Sequence, residues 1–401
     1  MDRQIPPDGD PRRTQGADSH SPAGSYAAGH GAGHGAGDTS SPAAGHATAH
    51  GGSDGLLEGL PPEIQRAIVQ PRDPAPPPEA PRGDPEYVGR PPSYPPRPLG
   101  PPSVRDGDLL AAVLPDSVVD GAELGPLTVR AASVRGDSHR WRGECRQDAL
   151  GVTRLGPAGD GGGGGGAGGG RQDFAGTDAL LLLAVADGVG SAPLSHRGSH
   201  AVVAGVAGQL DGAAAELADA LRAGDGTRFH ALADRAVAAA AAELRASADG
   251  PASAYATTFR ALVVPLDPAV RVRGFLGVGD GGLFRLRDRG WWNLEHPATA
   301  TPATAPGTGV IDTGTAALPD AYQQVDARLL EPSEAGDVLV LCTDGFSGPL
   351  AGEKEFREHV AEQWGHTAGV PQPSDFLWHA QTRLKSYDDD RTVICLWEGI
   401  R

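Results

Sequence analysis

The chain reads as an α+β protein in which sheets pack together with helices outside. Three observations predict this. Apolar runs LLLLAVADGVG at 180–190, FLGVGDGG at 275–282 and VLVLCTDGF at 338–346 have the length and Val/Leu content of buried strands. Helical periodicity occupies the stretch between the first and second of them. Strands then follow one another, interrupted by a helical pair near the C-terminus, which suits packed sheets covered by helices.

The folded part is expected to begin near 104–126, and LTVRAASVRGDSHRWRG at 127–143 alternates like a strand. In 194–222, Val203, Val206, Leu210, Leu217 and Leu221 fall on one helical face. A second helix is predicted over 227–247, with Thr227 as N-cap and Phe229, Leu232, Ala236 and Leu244 inward. Strands are predicted at 255–265, 270–279, 282–287 and 291–294, forming a meander closed by glycine-containing turns. After the strand that leads to Asp344 come short helices at 353–364 and 373–386, and RTVICLW at 391–397 is a final strand.

Three segments stand apart from this pattern. Residues 1–103 are rich in Gly, Pro, Ala, Ser and His, and bury too little apolar surface to offset ordering entropy. They are expected to be a disordered arm, with at most a short helix near Pro62–Val69. Its His/Gly tract at 29–37 is read as a solvated tail, and its Pro-rich stretch at 71–103 as a stiff polyproline II spacer. GDGGGGGGAGGG at 159–170 lacks the GK[ST] ending of a phosphate loop and reads as a flexible insertion. Residues 104–401 form the predicted folded domain, within which the Thr/Pro/Ala-rich segment inside 295–332 breaks the strand pattern.

Composition excludes several functions. The net charge is −17, from 34 Lys+Arg against 51 Asp+Glu, so nucleic acid is not expected as a partner. The first residues carry no apolar signal core, and no run reaches the roughly 18 apolar residues needed to span a bilayer. A cytoplasmic protein without membrane contact is the expectation. Cys145, Cys342 and Cys395 have no CxxC spacing and are read as small buried residues in a reducing compartment.

The chemistry lies at the strand ends. Eleven Asp-Gly dipeptides occur, and most are turn signals. Only those at Asp187, Asp280 and Asp344 close long apolar runs. Such carboxylates would repel one another if brought together without a cation of high charge density between them. RGECRQDAL at 142–150 adds Asp148 ahead of a strand, and YDDDRTVICLW at 387–397 adds Asp388–Asp390 ahead of another. These sites meet only if stacked sheets align their ends.

In order, GDSHRWRGECRQDA, AVADGVG, YATTFRALVV, GVGDGGLFRL, VLCTDGF and DDRTV resemble the metal-dependent protein phosphatases of type 2C, in the bacterial branch. The resemblance spans about 126–398. It implies a four-layer αββα sandwich, with two antiparallel β-sheets flanked by helices, and two Mn²⁺ or Mg²⁺ ions at one rim. Carried across by motif, Asp187 bridges both ions with help from the Gly188 carbonyl. Asp344 and Asp389 hold the first ion, while Gln147 and Asp148 stand by the second, Asp148 through water. Asp280 matches a third, weaker site. Asp389 is preferred within Asp388–Asp390 because it lies three positions before Thr392.

The implied reaction is attack on a Ser or Thr phosphomonoester by a water shared between the metals, with Asp187 and Asp344 as the central carboxylates. Arg142 and Arg146 are candidates for gripping the phosphate. The implied partners are a phosphorylated protein and, opposing it, a Ser/Thr kinase.

This chain departs from the family at two points. Gln147 stands where many members have glutamate, and Val189 where some have a leaving-group histidine, with His139, His196 and His200 as alternatives. A catalytically weak phosphatase-like binding module is therefore the second reading. A scaffold recruiting partners through its N-terminal arm is the third.

Overall fold

A computed structural model of the chain describes residues 87–94, 100–103, 108–156, 177–295 and 316–399. The short helix expected near Pro62–Val69, the His/Gly tract and the Gly-rich insertion lie outside the described residues.

Two antiparallel sheets form the centre. One holds six strands in the order β1-β2-β11-β10-β7-β8: β1 Ser117–Leu124, β2 Leu127–Val134, β7 Gly282–Arg287, β8 Gly290–Asn293, β10 Val338–Cys342 and β11 Arg391–Glu398. The other holds five in the order β3-β4-β5-β6-β9: β3 Ala149–Leu155, β4 Leu180–Ala186, β5 Phe259–Pro265, β6 Gly274–Val278 and β9 Asp326–Leu329. Facing residues Leu181, Leu183, Val185, Leu262, Val264, Leu339, Leu341, Ile394 and Leu396 are buried between the sheets. Every residue of β4, β5, β10 and β11 is buried, as expected of central strands covered on both faces.

Helices cover both outer faces. Over the five-stranded sheet lie α3 Ser195–Asp211, α4 Ala214–Ala223 and α5 Gly226–Ser247. Val202, Val206, Leu210, Leu217, Phe229, Val237 and Leu244 pack there against Leu180, Leu182, Ala261 and Val263. Over the six-stranded sheet lie α6 Asp344–Gly352, α7 Lys354–Trp364 and α8 Pro373–Ala380, whose aromatic residues stack on one another: Trp364 lies 4.6 Å from Phe376 and 5.5 Å from Phe346. The architecture is thus the four-layer αββα sandwich of the α+β class.

The element boundaries differ from the expectations in identifiable ways. The 194–222 helix is broken at Gly212–Ala213 into α3 and α4. The cap of α5 is Asp225, whose carboxylate accepts from the Arg228 amide at 2.9 Å; Thr227 lies inside the helix. The strand-like run from 127 ends at Val134, and Asp137–Arg142 turns into a short helix, α2, closed by Gly143 in the left-handed region at φ 72°. The predicted 373–386 helix stops at Ala380.

Packing also begins before residue 104. The Val88 amide donates to the Arg383 carbonyl, Arg383 donates to the Tyr94 carbonyl, and the Gly100 amide donates to the Arg140 carbonyl. Asp108 caps the short helix α1 (Leu109–Val113) and accepts from His196 and Arg197 at the start of α3. Within 295–332, residues 316–329 pack on the core: Leu318 is fully buried and exchanges backbone hydrogen bonds with Thr257.

Candidate metal centre

The strand ends assemble the acidic residues. Asp187 follows β4, and its backbone is clamped by the threonines of the YATTF motif. The Thr258 amide and the Thr257 hydroxyl donate to the Asp187 carbonyl at 2.8 and 2.7 Å. Asp280 stands in the turn where the chain passes from β6 to β7, and so from one sheet to the other. Asp344 opens α6 directly after β10. Oxygens of Asp187, Asp280 and Asp344 lie within 4.8 Å of one another, with Asp280 exposed and the other two half-buried. The charge of Asp389 also bears on Asp187.

Asp148 lies beside Asp187 and is fully buried. Its Oδ2 accepts from the hydroxyls of Thr343 and Thr392 at 2.9 and 2.6 Å, whereas its Oδ1 is buried with no hydrogen-bond donor. Burial, then the charge of Asp390, pushes the Asp148 carboxyl up to about 7. Burial and the carboxyls of Asp148, Asp344 and Asp389 raise Asp187 well above the ordinary range, and burial raises Asp344 as well. Clustered carboxylates whose ionised forms are this disfavoured, one with an orphaned oxygen, make a donor set suited to a hard divalent cation. The residues present fit such an ion.

The neighbouring side chains are committed elsewhere. Gln147 Oε1 accepts from the Ser195 hydroxyl at 3.0 Å. A Cβ on Gly188 would come within 2.9 Å of Ser195 Oγ, so glycine lets the backbone after Asp187 settle between Ser195 and Gln147. Arg146 is buried and donates to Ser133 Oγ, the Asp148 carbonyl and the Pro115 carbonyl, a structural engagement that ties down the loop carrying Asp148. Arg142 is half-exposed and pairs with Glu144 at 2.7 Å. Val189 offers no proton. The three histidine alternatives are each engaged: His196 with Asp108, His200 with the His196 carbonyl, and His139 with Asp390.

The last acidic run divides by burial. Asp389 is exposed and Asp390 buried, and together with His139 they form a second group whose ligand atoms lie within 4.8 Å. For His139, burial favours the neutral ring. The Asp390 bond and the charges of Asp390, Asp389 and Glu144 outweigh it and push the imidazole up to about 9. The reading of the sequence did not reach Thr343, Thr392 or the part played by Asp390, although all three adjoin residues it singled out. Their signal was adjacency alone, which does not tell a ligand from its support.

Two antiparallel sheets stacked face to face with helices outside, and carboxylates gathered at one rim, define an αββα sandwich whose edge is suited to a hard cation. The family model for Protein phosphatase 2C matches residues 167–385, more than half of the chain, and the chain belongs to that family. It is a phosphoprotein phosphatase. No curated protein matches it.

Among solved structures it is similar to the Mycobacterium tuberculosis serine/threonine phosphatase PstP/Ppp, at 20% identity over 70% of this chain and 99% of that one, TM-score 0.41. The S. agalactiae serine/threonine phosphatase shares 14% identity over 68% and 99% of the two chains, TM-score 0.42. The catalytic domain of PstP in complex with two manganese ions shares 21% over 67% and 97%, TM-score 0.38. No described helix is long and apolar enough to cross a membrane.

Proposed function

We propose that the chain is a Mn²⁺- or Mg²⁺-dependent phosphatase for phosphoserine and phosphothreonine in proteins, opposing a Ser/Thr kinase. One observation supports this most: Asp187, Asp280 and Asp344, from separate parts of the sequence, place their oxygens within 4.8 Å of one another. In this reading Asp187, the Gly188 carbonyl, Asp344 and Asp389 would hold the divalent ions, with Asp148 and Gln147 beside them and Asp280 at a weaker, additional position. Two divalent ions supply neutralisation of the phosphoryl oxygens and acidification of a water.

The protein's own contribution is placement. Thr257 and Thr258 fix Asp187, and Thr343 and Thr392 fix Asp148, so the carboxylates are held before substrate arrives. Of the two candidate arginines, Arg142 is the more available to a phosphoryl group, because it is half-exposed and held by an ion pair with Glu144 and a long 3.5 Å bond to the Ser138 hydroxyl, whereas Arg146 is buried.

The test is hydrolysis of a phosphothreonine peptide by the full chain. Activity should be abolished by EDTA, restored by Mn²⁺, and lowered by about a hundredfold or more in Asp187→Asn and Asp344→Asn, in line with the loss of metal-supplied charge stabilisation. Undiminished turnover in both variants would refute the assignment. Metal binding without turnover on any phosphopeptide would instead make the chain a binding module.

A further inference from the structure

The run Asp388–Asp390 places two carboxylates side by side with opposite surroundings. Asp390 is buried and saturated. Its Oδ1 accepts from the Gly136 amide at 2.7 Å and from His139 Nδ1 at 2.9 Å, and its Oδ2 accepts from the amides of Gln147 and Asp148. Four donors occupy the roughly four lone-pair positions of a carboxylate, leaving none for a metal.

These donors come from separate places. Gly136 follows β2 of the six-stranded sheet, His139 lies in α2, and Gln147 and Asp148 lead into β3 of the five-stranded sheet. The fit is tight on both sides. A Cβ on Gly136 would fall 2.4 Å from the Asp388 carbonyl oxygen, and one on Gly345 would fall 1.9 Å from the Asp390 carbonyl oxygen. Glycine at both positions is what lets the 388–390 backbone seat against the start of α2 and the start of α6.

We infer that Asp390, oriented by His139, is a positioning residue: it fixes the Gln147–Asp148 backbone against the rim and so sets the place of Asp148 beside Asp187. It is not itself a ligand. The inference rests on the metal-dependent reading above and adds two residues to it. Asp389, the exposed member of the pair, has its Oδ1 3.6 Å from His139 Nε2 and 2.8 Å from the Asp390 amide, so His139 and Asp390 together orient the carboxylate that the metal reading assigns to the ion.

A merely structural role would lower thermal stability without altering metal affinity, so the deciding measurement is Mn²⁺ binding to the full-length protein by calorimetry. Asp390→Ala should raise the Kd for Mn²⁺ about tenfold or more, as loss of a partner that orients metal ligands does. Asp390→Asn, which keeps one acceptor oxygen, should fall between. His139→Ala should weaken Mn²⁺ binding, and His139→Asn, which keeps a donor near the Nδ1 position, should recover part of it. In each weakened variant, excess Mn²⁺ should restore turnover with the KM for a phosphopeptide little changed.

Asp225→Ala, which removes a helix cap on the outer layer, serves as the control and should lower Tm with no change in Mn²⁺ affinity. Wild-type Kd values in Asp390→Ala and His139→Ala, whatever their Tm, would overturn the inference. If Asp390→Ala does not fold, the His139 pair decides by the same criterion. A wild-type protein that binds no Mn²⁺ would overturn the metal reading itself, and this inference with it.

Discussion

At the scale of single residues, the site is governed by the cost of gathering negative charge. Asp148 is pushed up to about 7, first by burial and then by Asp390, and Asp187 is raised with it. The sign follows from linkage. A carboxyl whose folded-state value lies above its unfolded value favours the folded, metal-free protein while protonated, and that contribution is lost as pH rises from the ordinary carboxylate range through about 7.

Metal requires the deprotonated forms, so its binding runs the other way. Apparent Mn²⁺ affinity should therefore climb between pH 5 and 7, approaching tenfold per unit for each proton displaced, and level off above. Calorimetric titration across that range checks it, and an affinity flat with pH would contradict the described clustering. The carboxylates themselves were legible because each of Asp187, Asp280 and Asp344 ends an apolar run. The hydroxyls that hold them were not, since Thr343 and Thr392 look like ordinary strand-end threonines until the sheets stack.

At the scale of elements, periodicity carried most of the information where one face is apolar and the other wet. In α5, Phe229, Leu232, Ala236 and Leu244 are buried as their spacing predicts. Its cap lies two positions before the expected one, since Asp225 and Thr227 are both good capping residues and local sequence does not rank them. Asp225→Ala should cost about 1 kcal/mol of stability, and Thr227→Ala much less, measurable by urea unfolding.

Helix α6 escaped notice for a different reason. Gly345, Gly348 and Pro349 argue against a helix locally. Tertiary packing prevails, because Phe346 and Leu350 bury against Trp364 and Phe356. The break between α3 and α4 was likewise hidden: Val206, Leu210, Leu217 and Leu221 continue one apolar face on both sides of it.

At the scale of the whole molecule, motif order fixed the layer arrangement well, while the domain edge was read too late. Composition marks 71–103 as Pro-rich spacer, yet Tyr87 and Val88 bridge to Arg383, and Gly100 donates to Arg140 in α2. Composition reports how little apolar surface a segment buries, not whether its backbone finds partners. Removing residues 1–81 should leave Tm and turnover unchanged. Removing 1–107 should lower Tm by several degrees, because the hydrogen bonds to Arg383 and Arg140 go with it; each is worth about 1 kcal/mol. Differential scanning fluorimetry of the two truncations separates these outcomes, and equal melting temperatures would show that the segment adds nothing.

The passage of the chain through Asp280, from one sheet into the other, has a mechanical consequence. Asp187 belongs to the five-stranded layer and Asp344 to the six-stranded one, so an ion seated between them would rivet the two slabs together at that edge. Chelation would then act on the seam as well as on chemistry. Amide exchange should quicken first where β4 and β10 reach the rim, while the opposite end of both strands keeps its protection.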